Sequence, residues 1–340
     1  MTLWRLPLLI LLASQYSCTE PTQKIWQDYQ ARLSRITGAQ FPELATTARP
    51  ALPAISTLRH PVTEQQLSLL DLLALRSCGL DQLVSERNSS LGKVQTISQR
   101  FAYEVAFMQQ VKPCLLSGSL SAELTDKLRQ ISLIKQQELP ALWHNLLLTD
   151  PTLRQQWQPA AEGLPLSGQP GLTESLQALQ QLLAIQQLLL SQDWGQLNQR
   201  HVEAPLALLY QSGYFSRWLR SLYWHLSALH TTQAGLNAVP VQQFCPAGKS
   251  HGNTEKLTNV LSQVFILRIQ QPLAELDGAY QQFWPLLTAL YQQTALWPAL
   301  QQRVEQPIQE LKHQLRLHVS WWQQVQQHCA APAASRKEIS

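Results

Sequence analysis

Residues 71–116 read DLLALRSCGLDQLVSERNSSLGKVQTISQRFAYEVAFMQQVKPCLL. Leu91, Val94, Phe101, Val105 and Met108 recur at spacings of three, four and seven, the period of a helix with one apolar face. Leu69, Leu72, Leu73 and Leu80 form a similar stripe before it, interrupted by Arg76. Ser85–Ser90 separates the two stripes, and Asn88 or Ser89 is placed to cap the second helix. Two helices joined by a polar pause predict an α-helical hairpin. Cys78 and Cys114 sit near the two helix ends. A bond between them encloses about 37 residues, worth roughly 3 to 4 kcal/mol by loop-closure entropy. A bend between Gly79 and Glu86 is needed to bring the chain back to Cys114.

The same stretch concentrates charge in a chain where only 14% of residues are charged. Glu86, Arg87, Asn88, Lys93, Arg100 and Glu104 form a candidate polar site for an anionic or polar ligand. Arg100 and Glu104 are spaced for an i,i+4 ion pair. The competing reading is a helix surface, or an ion-pair network joining two helices. A paired-carboxylate site built on Glu86 and Glu104 requires the chain to turn between them, because one continuous helix would separate them by about 27 Å.

Outward from this stretch, the helical pattern persists. The chain has 340 residues and is 45% hydrophobic, so it can bury a large core. Leu and Gln dominate, and runs of period two are lacking. The fold expected is all-α, an irregular multi-helix bundle with long punctuated helices. A formal net charge of +4 and no basic run with interleaved aromatics give nucleic-acid binding no support. No metal-ligand spacing and no cofactor motif is present. GKSHG at 248–252 lacks the spacing of a phosphate loop and lies in a helical context.

At the N-terminus, Arg5 precedes the short apolar run Leu6–Ala13, which is too short to span a bilayer and reads as an export signal. Cys18 follows Ser17 in the manner of a bacterial lipid-attachment site. Plain secretory cleavage near Ser17 is the alternative, since Gln15 and Tyr16 depart from the usual apolar-then-small pattern. Residues 1–17 are then a signal peptide, and 18–24 a tether. Four cysteines remain, Cys78, Cys114, Cys245 and Cys329, and an even number in an exported chain favours two disulfides. Of the three pairings, Cys78–Cys114 with Cys245–Cys329 is the most economical.

Residues 25–158 form an N-terminal helical lobe and 172–329 a C-terminal one. The Pro/Gly-rich segment 159–171 lies between them as a linker or surface loop, unless one core runs through both lobes. Pro140 is expected to break or kink a helix, and Asp150-Pro151 to start one. Residues 206–232 are rich in aromatics; Tyr214, Arg217, Trp218, Arg220 and Tyr223 make either a groove for an apolar or anionic partner or a helix seam in which Arg stems cover rings. Residues 330–340 read as a frayed tail.

The runs LVSERNSSLGK and SQRFAYE with the following Cys114, the run FCPAGKSHGNTEKLTNV, and more weakly FSRWLRSLY, resemble a bacterial family of exported proteins, the domain of unknown function family 3080. The resemblance spans about Ile25 to Cys329. It implies an envelope lipoprotein with a shared fold and carries no assigned activity. Thr19 after Cys18 resembles the pattern of outer-membrane lipoproteins facing the periplasm.

The leading functional expectation is therefore an envelope binding or interaction protein, held at the membrane by a lipid on Cys18, with an envelope protein, lipid or glycan as partner. The alternatives are an enzyme acting on an envelope polymer or lipid, and a purely structural envelope protein. No cofactor is expected.

Overall fold

In the computed structural model, which describes residues 21–43, 49–63, 65, 67–197, 202–244 and 251–330, helices account for the fold, and no strand occurs among the described residues. The helices are α1 (Pro21–Thr37), α2 (Ile55–Leu58), α3 (Leu69–Ala74), α4 (Leu80–Asn88), α5 (Ser90–Lys93), α6 (Ile97–Leu116), α7 (Ala122–Thr149) and α8 (Pro151–Gln156). There follow α9 (Leu172–Leu190), α10 (Glu203–Ser212), α11 (Tyr214–Asn237), α12 (Val241–Phe244), α13 (His251–Val260), α14 (Gln271–Tyr291), α15 (Trp297–Leu300) and α16 (Gln306–Ala330). A π-helical stretch, Leu261–Gln270, joins α13 to α14, and a second, Gln301–Glu305, joins α15 to α16. No helix among the described residues is long and apolar enough to cross a membrane. The expected export segment, Cys18 and the tail beyond Ala330 lie outside the described residues.

Two hydrophobic clusters organise these helices. The larger runs from Ile25, Trp26 and Tyr29 in α1, through Leu142 and Trp143 in α7, to Trp322 in α16. The smaller gathers Leu75, Leu80, Val84, Phe107, Met108, Val111, Leu124, Leu128 and Ile131 around one disulfide. Segment 159–171 does not divide the core: Leu164 is buried, its N–H donates to Ser221 Oγ at 2.7 Å, and the large cluster continues on both sides of it. The packing unit that stands apart is the small lobe built from α3 to α6 and the first half of α7.

That lobe departs from the expected hairpin in two ways. The first stripe does not form one helix. α3 has six residues, with Leu69, Leu70 and Leu73 exposed, and a tight turn at Leu75–Cys78 ends in Gly79 at φ +79°. Only glycine adopts that conformation cheaply, so the chain reverses there and α4 starts afresh. Cys78 reaches Cys114 across this reversal, at a Cα–Cα distance of 5.2 Å. The second helix does not start at Asn88 or Ser89. Ser89 caps only the four-residue α5, while Thr96 and Gln99 form a reciprocal capping box that starts α6. Leu91 and Val94 are left outside α6 and exposed.

Pro140 does not break the chain either. α7 runs through it for 28 residues. Burial of Leu128 and Ile131 on one side, and of Leu139 and Leu142 on the other, outweighs the lost backbone bond. Asp150 caps α8 as Asp-Pro predicts, accepting from Thr152 N and Leu153 N. Gly213, at φ +52°, separates α10 from α11.

In the large core, buried polar groups lock α1 to α11 and α16. Trp26 Nε1 donates to His225 Nδ1 at 3.0 Å, and Gln30 Nε2 donates to Thr232 Oγ1 at 3.0 Å. Tyr29 Oη meets His318 Nε2 at 2.7 Å, while Trp322 Nε1 reaches both. An indole N–H only donates, so His225 Nδ1 and His318 Nε2 are acceptors and both rings are neutral. Burial pushes the two imidazoles down, to about 4 for His225 and about 3 for His318. The proline-rich segment before α3 is pinned by arginines: Arg154 Nη2 donates to Pro53 O at 2.8 Å, and buried Arg303 donates to Trp157 O and Pro50 O.

Candidate functional site

The small lobe encloses a cavity of about 500 Å³ on its open side. This lies within the range of roughly 300–1,000 Å³ typical of small-molecule sites. Each wall follows from local structure. The floor is apolar: Val84 from α4, Phe107 from α6 and Ile131 from α7, all buried by the lobe's own core. One side is the segment entering α3, contributing Thr63, Gln65 and Leu67. That segment is tied to α7, where Glu138 Oε1 accepts from Thr63 N at 2.9 Å and Asn145 exchanges two hydrogen bonds with the His60 backbone.

The opposite side is cationic. Arg87 and Asn88 come from the end of α4, Lys93 from the end of α5, and Arg100 and Tyr103 from the first turns of α6. Gly92 makes this possible. A Cβ on Gly92 would lie 2.2 Å from Arg87 O and 2.4 Å from Glu86 O, so only glycine lets α5 fold against the end of α4. Arg87 Nη1 closes the turn by donating to Gly92 O at 2.7 Å. Lys93 is carried to the cavity as a result.

Deeper in, Lys135 Nζ stands 2.5 Å from Glu104 Oε2, with both side chains almost fully buried. The same ammonium lies 4.9 Å from the centre of the Phe107 ring and 5.3 Å from that of Tyr103. Burial and the neighbouring Glu104 carboxylate push the Tyr103 phenol up. The expected Arg100–Glu104 pair therefore does not form. Glu104 is neutralised by Lys135 of α7 instead. Arg100 Nε is buried without a hydrogen-bond partner, and neither Arg100 nor Lys93 enters an ion pair among the described residues. Among the described residues, four cations and one carboxylate line the cavity, and the carboxylate is paired with Lys135.

Of the six residues singled out in the sequence, five line this cavity: Arg87, Asn88, Lys93, Arg100 and Glu104. Glu86 does not; it is exposed on α4. The paired-carboxylate arrangement of Glu86 and Glu104 is thus not assembled. Sequence reasoning missed Lys135, Tyr103 and the apolar floor. The signal for Lys135 was available, since it follows Leu128 by seven and Ile131 by four, which places a lysine on the buried face of α7.

Of the two readings of the aromatics around α11, groove or seam, the structure shows the packed seam. Tyr214, Trp218 and Tyr223 are buried in the large core, and Trp218 Nε1 donates to Leu276 O at 3.1 Å. Arg217 Nη2 donates to Ser212 O and Pro170 O, tying α11 to the segment before α9. The Arg220 guanidinium lies 5.0 Å over the Trp224 ring, stem and head covering an aromatic as in a helix seam. The Cys78–Cys114 bond is formed, and Cys329 is disulfide-bonded too; its expected mate, Cys245, lies outside the described residues. Among the described residues no group of His, Cys, Asp and Glu is arranged to hold a metal ion.

The family described as "Protein of unknown function (DUF3080)" matches residues 26–332. The chain belongs to this family. The match covers both clusters and the whole cavity, so the cationic lobe is part of the DUF3080 unit and not an appendage to it. No curated protein and no solved structure matches this DUF3080 chain.

Proposed function

We propose that this DUF3080 protein is an envelope-anchored binding protein whose small lobe takes up a ligand with an anionic group. The observation that carries the reading is the state of Lys93 and Arg100. Both line a half-open cavity, neither is neutralised by a carboxylate among the described residues, and one Arg100 donor is buried unsatisfied. A buried donor without an acceptor costs about 1 to 3 kcal/mol, which an anionic ligand would recover. A purely structural brace has no need of such a cavity. The alternative of an enzyme acting on an envelope polymer or lipid has less support, because the carboxylate pair it rests on is not assembled: Glu86 is outside the cavity and Glu104 is held by Lys135.

Titration calorimetry with inorganic phosphate tests the binding reading. The expected result is saturable binding that Lys93→Gln and Arg100→Gln each weaken by roughly tenfold. Binding that neither substitution alters, or no saturable binding, contradicts it. Anchoring rests on the export run and Cys18. Metabolic labelling with palmitate should mark the wild type and not Cys18→Ser; an unlabelled wild type would overturn the anchor.

A further inference from the structure

We infer that the ligand of the small-lobe cavity is a phosphate-bearing amphiphile, its phosphate held by Lys93 and Arg100 and its apolar part lying against Val84, Phe107 and Ile131; the inference rests on the anion-binding reading above. The cavity is divided by chemistry. Lys93 is exposed and marks the mouth, and Arg100 is half-buried just inside it. Val84, Phe107 and Ile131 are at most 5% exposed and form the floor.

A free inorganic anion needs only the mouth. It makes no use of an apolar floor, and removing such a floor from water is what an alkyl group does. A purely apolar ligand would leave the Arg100 donor without an acceptor. A ligand satisfying both halves carries charge at one end and hydrocarbon at the other. Phosphate suits the charged end because its oxygens accept from several directions at once, and here an ammonium and a guanidinium approach from different helices.

The buried Lys135–Glu104 pair fits the same division. The carboxylate that would repel the phosphate is already occupied at 2.5 Å by Lys135. The Lys135 ammonium lies over the Phe107 ring of the floor, where the ring face offsets part of its charge.

The experiment uses the full chain and a series of monoalkyl phosphates from methyl to octyl, with octanol as the uncharged control, by calorimetry below the micelle-forming concentration. The expected result is affinity that rises at least roughly tenfold from methyl to octyl phosphate, with no binding of octanol at the same concentration. Arg100→Gln should weaken methyl and octyl phosphate by the same factor, since it removes the shared head contact. If methyl phosphate binds as tightly as octyl phosphate, the amphiphile inference is overturned while the anion site stands, and the source is a soluble phosphate ester. If no alkyl phosphate binds, both readings fall. If octanol binds as well as octyl phosphate, the charged end plays no part and the phosphate assignment is wrong.

Discussion

Lys135 of α7 and Glu104 of α6 meet at 2.5 Å beneath the cavity, both nearly buried, and it is this pair that sets Arg100 free. A buried pair resembles a structural tie, but its worth lies in what happens when half of it is removed. Lys135→Met alone leaves a buried carboxylate and is expected to destabilise by about 3 to 5 kcal/mol. The double variant Lys135→Met/Glu104→Leu should recover most of that loss, since apolar replacement of a whole buried pair is often near neutral. Denaturant unfolding of the four members of this cycle measures the coupling; a single variant as stable as wild type would place the pair in solvent.

Arg100 behaves in the opposite sense. Sequence spacing pairs it with Glu104, and that pairing predicts a stability loss on substitution. Its Nε is buried without an acceptor among the described residues, so Arg100→Met removes an unsatisfied buried donor and should leave stability unchanged or raised by about 1 kcal/mol. Chemical denaturation showing a loss above about 2 kcal/mol would reveal a missing acceptor in the free protein.

The Cys78–Cys114 bond closes the small lobe, with a sequence separation of 36. Cys78→Ser/Cys114→Ser, which leaves the Cys329 disulfide intact, should cost about 3 to 4 kcal/mol. The loss should be local, because the lobe has its own cluster. Amide hydrogen exchange is expected to speed up in α3 to α6 while α11 and α16 stay protected. Uniform loss of protection would mean that the two clusters unfold as one.

The neutral histidines of the large core make stability depend on pH. The folded values of His225 and His318, about 4 and about 3, lie below the unfolded value of about 6.5. The unfolded chain therefore takes up protons first as pH falls. This contribution is fully present above about pH 6.5 and is lost as pH drops toward 4 and 3, at about 1.4 kcal/mol per pH unit for each ring. Between pH 6 and 5, His318→Gln should lower the slope of unfolding free energy against pH by about that amount; an unchanged slope would show that the ring is already charged in the folded state.

How far the sequence reaches is clear from particular residues. Ser121 and Asp150 cap helices by local chemistry visible in the chain, and the helical class follows from periodicity, whereas the cap of α6 is Thr96 and not Asn88 or Ser89. The charge cluster around Arg100 was visible because charge is sparse elsewhere. Its geometry was not. Whether Glu104 turns to Arg100 on its own helix or to Lys135 on the next depends on how α6 lies against α7, a tertiary fact. Gly92 shows the same limit: its close approach to the Arg87 carbonyl cannot be read from spacing, yet it places Lys93. The rings around Trp218 have the composition of a groove, and only their burial shows that they form a seam.

The central claim is that Lys93 and Arg100 together hold a tetrahedral oxyanion in the small-lobe cavity. Crystals of the protein grown with tungstate, whose anomalous scattering locates it without ambiguity, test this most directly. The account predicts a tungstate peak within hydrogen-bond reach of both the Lys93 ammonium and the Arg100 guanidinium, absent from crystals of Arg100→Gln. Tungstate bound only elsewhere on the surface, with the cavity empty of it, would contradict the account.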